Sequence, residues 1–116
     1  MIKKKFKTPL YGTKFTCIIY EDANEPQSYF KDLDTNTRFA DFDGCVFWHK
    51  DHLYVAFQRL KKGYPTPGII AHEAKHLVNN IFINIGHEPD KWHDEPECYL
   101  LMWIVNRIHE FINKVE

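Results

Sequence analysis

Residues 72–76 read His-Glu-Ala-Lys-His, and this is the first spacing in the chain that suits catalytic chemistry. On a helix, positions i and i+4 stand one turn apart on the same face. His72 and His76 would then present two imidazoles to one ion, at the roughly 2.0–2.1 Å of a zinc–nitrogen bond. Neutral imidazoles leave the charge of the ion uncancelled, so it stays a Lewis acid. Glu73 leaves the helix about 100° from His72. That is too far round to ligate comfortably, but near enough to take a proton from a water at the metal. The motif fixes only three positions, and such triplets also occur on the wet faces of ordinary helices. Context must decide between the two readings.

The surrounding residues predict a capped, amphipathic helix. Thr66 suits the N-cap, Pro67 the first helical position and Gly86 the position just past the end. Ile70, Ala74, Leu77, Val78, Ile81 and Ile85 fall in one stripe, which faces the core. His72 and His76 lie on the opposite side, near Asn79 and Ile83. Upstream, residues 14–21 read as a strand, and residues 44–58 as a hairpin with His49-Lys50-Asp51-His52 at its tip. Residues 22–37 are polar and read as a loop, with one helical turn around Ser28 to Leu33. A second helix is expected from about Asp94 to Asn113. Strands first and helices after predict an α+β fold in a single domain over residues 1–116, with a short antiparallel sheet followed by the two helices.

A catalytic zinc site takes three protein ligands. After His76 the candidates are His87, Glu88, His93, Asp94, Glu95 and Glu97. The metzincin continuation would require glycine at 79 and histidine at 82, where this chain has Asn79 and Phe82, so that class is excluded. Eighteen residues separate His76 from Glu95, and twenty separate it from Glu97. Glu97 heads a stripe of Leu101, Ile104, Ile108 and Phe111. Glu95 heads another, of Tyr99, Met102 and Asn106. The helical wheel leaves both open, and either glutamate could simply complement the helix dipole.

The segments "GIIAHEAKHLVNNIF" and "DEPECYLLMWIVNRI" resemble gluzincin-type zinc metallopeptidases. In those enzymes the second helix begins with a glutamate followed three positions later by a small residue, a role Cys98 fits after Glu95. Over residues 43 to 110 the chain is also similar to small HExxH metallopeptidases of bacteriophages and mobile elements of gut bacteria. The resemblance implies a zincin-like fold, Zn2+ as cofactor, Glu95 as third ligand over Glu97, and hydrolysis of a peptide bond. Tyr99, one turn beyond Glu95, becomes a candidate to support a ligand imidazole or polarise an oxyanion. His93 becomes a candidate donor to a tetrahedral intermediate, with Tyr64 a weaker one.

Composition sets bounds on these readings. The 116 residues carry a formal net charge of −1, with 44% hydrophobic and 16% aromatic content. A chain of this size buries a core without needing metal or disulfides to fold. No global field attracts nucleic acid, and no apolar run approaches the roughly 20 residues needed to span a bilayer. Cys17, Cys45 and Cys98 are odd in number and lack a C-x-x-C, which predicts reduced core cysteines in a cytoplasmic protein. The opening MIKKKFK reads as a solvated arm in preference to a nucleic-acid or membrane contact, and His49 and His52 as residues of a solvated turn in preference to a minor metal site. Trp48, Trp92 and Trp103 read as core or rim, with Trp103 and Arg107 a possible partner surface. The expected partner is a peptide or protein substrate. The competing expectation is a non-catalytic accessory protein that binds a host or phage protein.

Overall fold

The computed structural model describes residues 1–33 and 38–115. The part of the expected 22–37 loop that falls on residues 34–37 lies outside them. Four strands form one sheet: β1 (Ile2–Lys7), β2 (Lys14–Tyr20), β3 (Gly44–His49) and β4 (His52–Gln58), in the order β1-β2-β4-β3. A short helix α1 (Asn24–Tyr29) and a 3-10 turn (Phe39–Asp41) lie between β2 and β3, and two long helices, α2 (Pro67–Asn84) and α3 (Glu95–Lys114), follow the sheet.

The architecture is α+β, but the sheet is mixed. β1 pairs with β2 and β3 with β4 in antiparallel fashion, whereas β2 and β4 run parallel. The expected all-antiparallel sheet is corrected on this point. A parallel neighbour requires a long crossover, and the segment after β2 supplies it by carrying the chain to the far edge before the β3–β4 hairpin returns. The helical turn in that segment falls on Asn24–Tyr29, earlier than Ser28 to Leu33.

A second correction concerns the N-terminus. Ile2–Lys7 is a strand and not a solvated arm. Four of its six residues are lysines, yet alternation turns Phe6 inward, where it stacks on Phe15 at 5.3 Å and meets Phe111 edge-on at 6.3 Å.

Alternation along the strands sorts the sheet into two faces. Phe6, Phe15, Cys17, Ile19, Leu53, Val55 and Phe57 pack against α2 and α3 in the main core. Ile18, Tyr20 and Ala56 turn the other way and form a smaller core with Phe30 and Phe39. There the Tyr20 hydroxyl donates to the Phe39 carbonyl at 2.6 Å. Cys17 is fully buried and Cys45, half-buried, packs against the smaller core, whereas Cys98 is exposed, so the core reading fails for Cys98. Trp92 is likewise exposed.

Candidate metal site

Helix α2 forms where the capping pattern places it. The Thr66 side chain accepts from the Ile69 N–H, Pro67 occupies the first turn, and Gly86 takes a φ of 76° just past the end. Ile70, Ala74, Leu77, Val78 and Ile81 are buried, whereas Ile85 is exposed. The stripe holds α2 against the sheet and leaves His72 and His76 on the solvent side.

The two imidazoles stand 4.9 Å apart between ring centroids. Ligand atoms of His72, Glu73 and His76 all lie within 4.8 Å of one another. Two exposed nitrogens beside a buried carboxylate form a donor set that suits a divalent cation of zinc type. Glu73 is only 5% exposed. Burial pushes its carboxyl above the usual range, while the neighbouring His72 and His76 pull in the opposite direction. A carboxyl raised by burial is closer to the range in which a general base works near neutral pH.

Glu73 owes its burial to β3. A β-carbon built on Gly44 would lie 2.8 Å from the Glu73 Cγ and 3.2 Å from Phe57. The glycine therefore lets the strand approach the helix at the motif. Two clefts flank this contact. One, of about 520 Å³, is lined by Asp43, Thr66 and His72; the other, of about 320 Å³, by Val46, His76 and Asn80. Phe42, Gly44 and Glu73 line both. Trp48 pins the strand to the helix by donating from its indole N–H to Asn80 Oδ1 at 2.9 Å. Among the described residues β3 pairs on one side only, which leaves its other edge open to pairing.

The remaining candidates lie elsewhere. Glu95 and Tyr99 are exposed and line an apolar groove with Pro9, Leu10 and Tyr11. Glu97 is half-buried and forms an ion pair with Lys75, on α2 beside His76. Of the two glutamates, it is Glu97 that has a contact with α2. His93 is exposed and bonded to Asp90 at 2.9 Å. Neither Glu95 nor His93 joins the His72–Glu73–His76 group.

The histidines of the hairpin are not in a solvated turn. His49 bonds Asp32 at 2.7 Å, and His52 bonds Thr16 at 2.8 Å. Gly44 was not anticipated as a site residue, although a glycine inside a strand is a sign of close backbone approach.

No protein-family model matches the chain, and no curated protein or solved structure is significantly similar to it. No helix among the described residues is long and apolar enough to cross a membrane.

Proposed function

We propose that the chain is a zincin-like metallopeptidase that hydrolyses a peptide bond in a narrow set of protein substrates. The observation that carries the proposal is the clustering of His72, Glu73 and His76 under the free edge of β3. His72 and His76 would hold the metal. When bound, zinc supplies a Lewis acid that polarises a carbonyl and makes water nucleophilic near neutral pH.

The chain's own residues supply the rest. The Glu73 carboxylate accepts a proton from the attacking water at one oxygen and returns it to the leaving amine. Its burial against Gly44 keeps the group pointed and partly dry. An extended substrate adds to the unpaired edge of β3, so that its backbone hydrogen bonds to the strand and lies across the two clefts. Shallow clefts favour a partner recognised by its backbone and a few side chains over general digestion. A target in a host or phage is what the resemblance of the two motif segments to small phage metallopeptidases would imply.

The test is Glu73→Gln, which keeps shape but cannot accept the proton. Zinc binding should persist while hydrolysis falls by roughly 10²-fold or more. New peptide termini would be compared after wild type and variant are incubated with bacterial lysates. If no terminus depends on Glu73, the chain is not a peptidase. A second reading, a non-catalytic protein-binding module, draws on the apolar groove beside α3, where Leu10, Tyr99 and Met102 are exposed.

A further inference from the structure

The sheet face turned away from α2 and α3 carries a feature unrelated to the histidine pair. Lys3, Lys5 and Lys7 of β1 point to this face, as do Lys14 and Thr16 of β2 and His52 and Tyr54 of β4, because cross-strand partners share a face. The register aligns Lys5 with Thr16 and Thr16 with Tyr54 in one row. In the next row Lys7 stands opposite Lys14, beside the His52–His49 pair at the hairpin end. Like charges directly opposite on a sheet are destabilising.

Where α1 ends, this face opens into a hollow of about 380 Å³ lined by Lys3, Lys5, Thr16, Tyr29, His52 and Tyr54. Among the described residues, the ionisable groups that line it are two ammonium groups, an imidazole and two phenols, and none is a carboxylate. Lysines on an edge strand discourage sheet-to-sheet pairing. That accounts for β1 but not for Lys14 and His52, which sit on inner strands.

The hydrogen bonds leave hydroxyl protons available to donate. The Lys3 ammonium can only donate, so its 3.0 Å bond to the Tyr29 hydroxyl uses that oxygen as acceptor and frees its proton. His52 Nε2 lies 2.8 Å from the Thr16 hydroxyl. When that nitrogen donates, the Thr16 proton is free as well. Burial first, then Lys5 and Lys14, holds the imidazole below its ordinary protonation range. The surroundings are thus short of negative charge.

We propose that this hollow is an anion site for a phosphoryl dianion, held by Lys3, Lys5 and the hydroxyls of Thr16 and Tyr29. Two ammonium groups match the charge of a dianion, and the hydroxyls reach its remaining oxygens. A singly charged carboxylate would leave both charge and donors unused.

The test is titration of the full chain with inorganic phosphate and with phenyl phosphate, against sodium chloride at equal ionic strength, followed through backbone amide NMR. Saturable shifts at Lys5, Thr16 and His52 are expected with phosphate and not with chloride. Lys5→Gln should weaken binding roughly tenfold, because it removes one charge-assisted contact. Lys62→Gln, on a loop outside the hollow, should leave binding unchanged. Tighter binding of phenyl phosphate assigns the site to an ester seated against the tyrosines, and equal binding assigns it to the free anion. Identical responses to chloride and phosphate overturn the proposal, as does unaltered binding in both Lys5→Gln and Lys3→Gln. A single-stranded oligonucleotide that binds where phosphate does not also overturns it, since that identifies a diffuse polyanion surface.

Discussion

Gly44 of β3 lies so close to Glu73 of α2 that any side chain at this position would force a shift: a β-carbon there would come within 2.8 Å of the glutamate's Cγ. The opposing atom is the middle of a buried side chain, which has little room to move aside. Gly44→Ala should therefore rotate Glu73 or push β3 outward, at about 1–3 kcal/mol, the usual cost of overpacking. Zinc affinity should change little, because the atoms nearest the new methyl group belong to Glu73 and Phe57 and not to His72 or His76, while hydrolysis should fall with the misplaced base. Chemical denaturation and a zinc titration of the variant read the two effects separately.

The metal prediction rests on the histidine pair. Purified protein should bind about one zinc per chain, and His72→Ala or His76→Ala should abolish that binding. The main core is built from the sheet and both helices without any contribution from the histidines. Apo protein should thus stay folded and gain melting temperature on adding zinc, as for any ligand that binds only the native state. Metal analysis and thermal unfolding with and without chelator check both halves.

His52 supplies a pH prediction. Its imidazole is held below the ordinary 6.5, first by burial and then by Lys5 and Lys14. Lys5 approaches from β1, Lys14 and Thr16 from β2, and His49 is its cross-strand partner on β3. The folded state therefore binds this proton less readily than the unfolded chain. The corresponding stability is present above 6.5 and is lost as pH falls through the lower folded value. Imidazole NMR should place the His52 midpoint below 6.5, and Lys5→Gln should raise it part of the way, leaving the effect of burial.

How far the sequence carried depended on the kind of signal. Helix α2 was legible to the residue at its start, because Thr66 and Pro67 carry local capping chemistry and the apolar stripe repeats at helical spacing. The β3–β4 hairpin was legible from its aromatic runs, and its Lys50-Asp51 tip adopts positive φ at both positions. β1 was not, because four lysines in six residues hide a strand whose one buried side chain is Phe6. The parallel β2–β4 pairing was not either, since it depends on a long connection with no local signature. Phe6→Ala should accordingly cost about 3–5 kcal/mol, as for other buried phenylalanines. A value near zero in urea unfolding would return the segment to a solvated arm.

The third ligand separates what family resemblance implies from what the helices arrange. Resemblance points to Glu95, whose exposed side chain lines the groove with Tyr99 and Pro9. Glu97 instead lies on the stripe that leads to Leu100 and Ile104, both buried, and it pairs with Lys75 on α2. Lys75 also donates to Asn79 at 2.9 Å, one turn further along the face that carries His72 and His76. A carboxylate that leaves an ammonium for a metal must give up that ion pair, which is half-exposed and worth about 0–1 kcal/mol. If Glu97 completes the site, Glu97→Gln should weaken zinc binding by at least roughly tenfold, the lower end for loss of a supporting group. Lys75→Ala should then tighten it modestly, by removing the competitor, and Glu95→Gln should leave it unchanged. If Glu95 completes the site, the two glutamine variants exchange behaviour, and Lys75→Ala has no effect on affinity. Zinc competition titrations of the three variants decide between these outcomes, and they do so without a substrate.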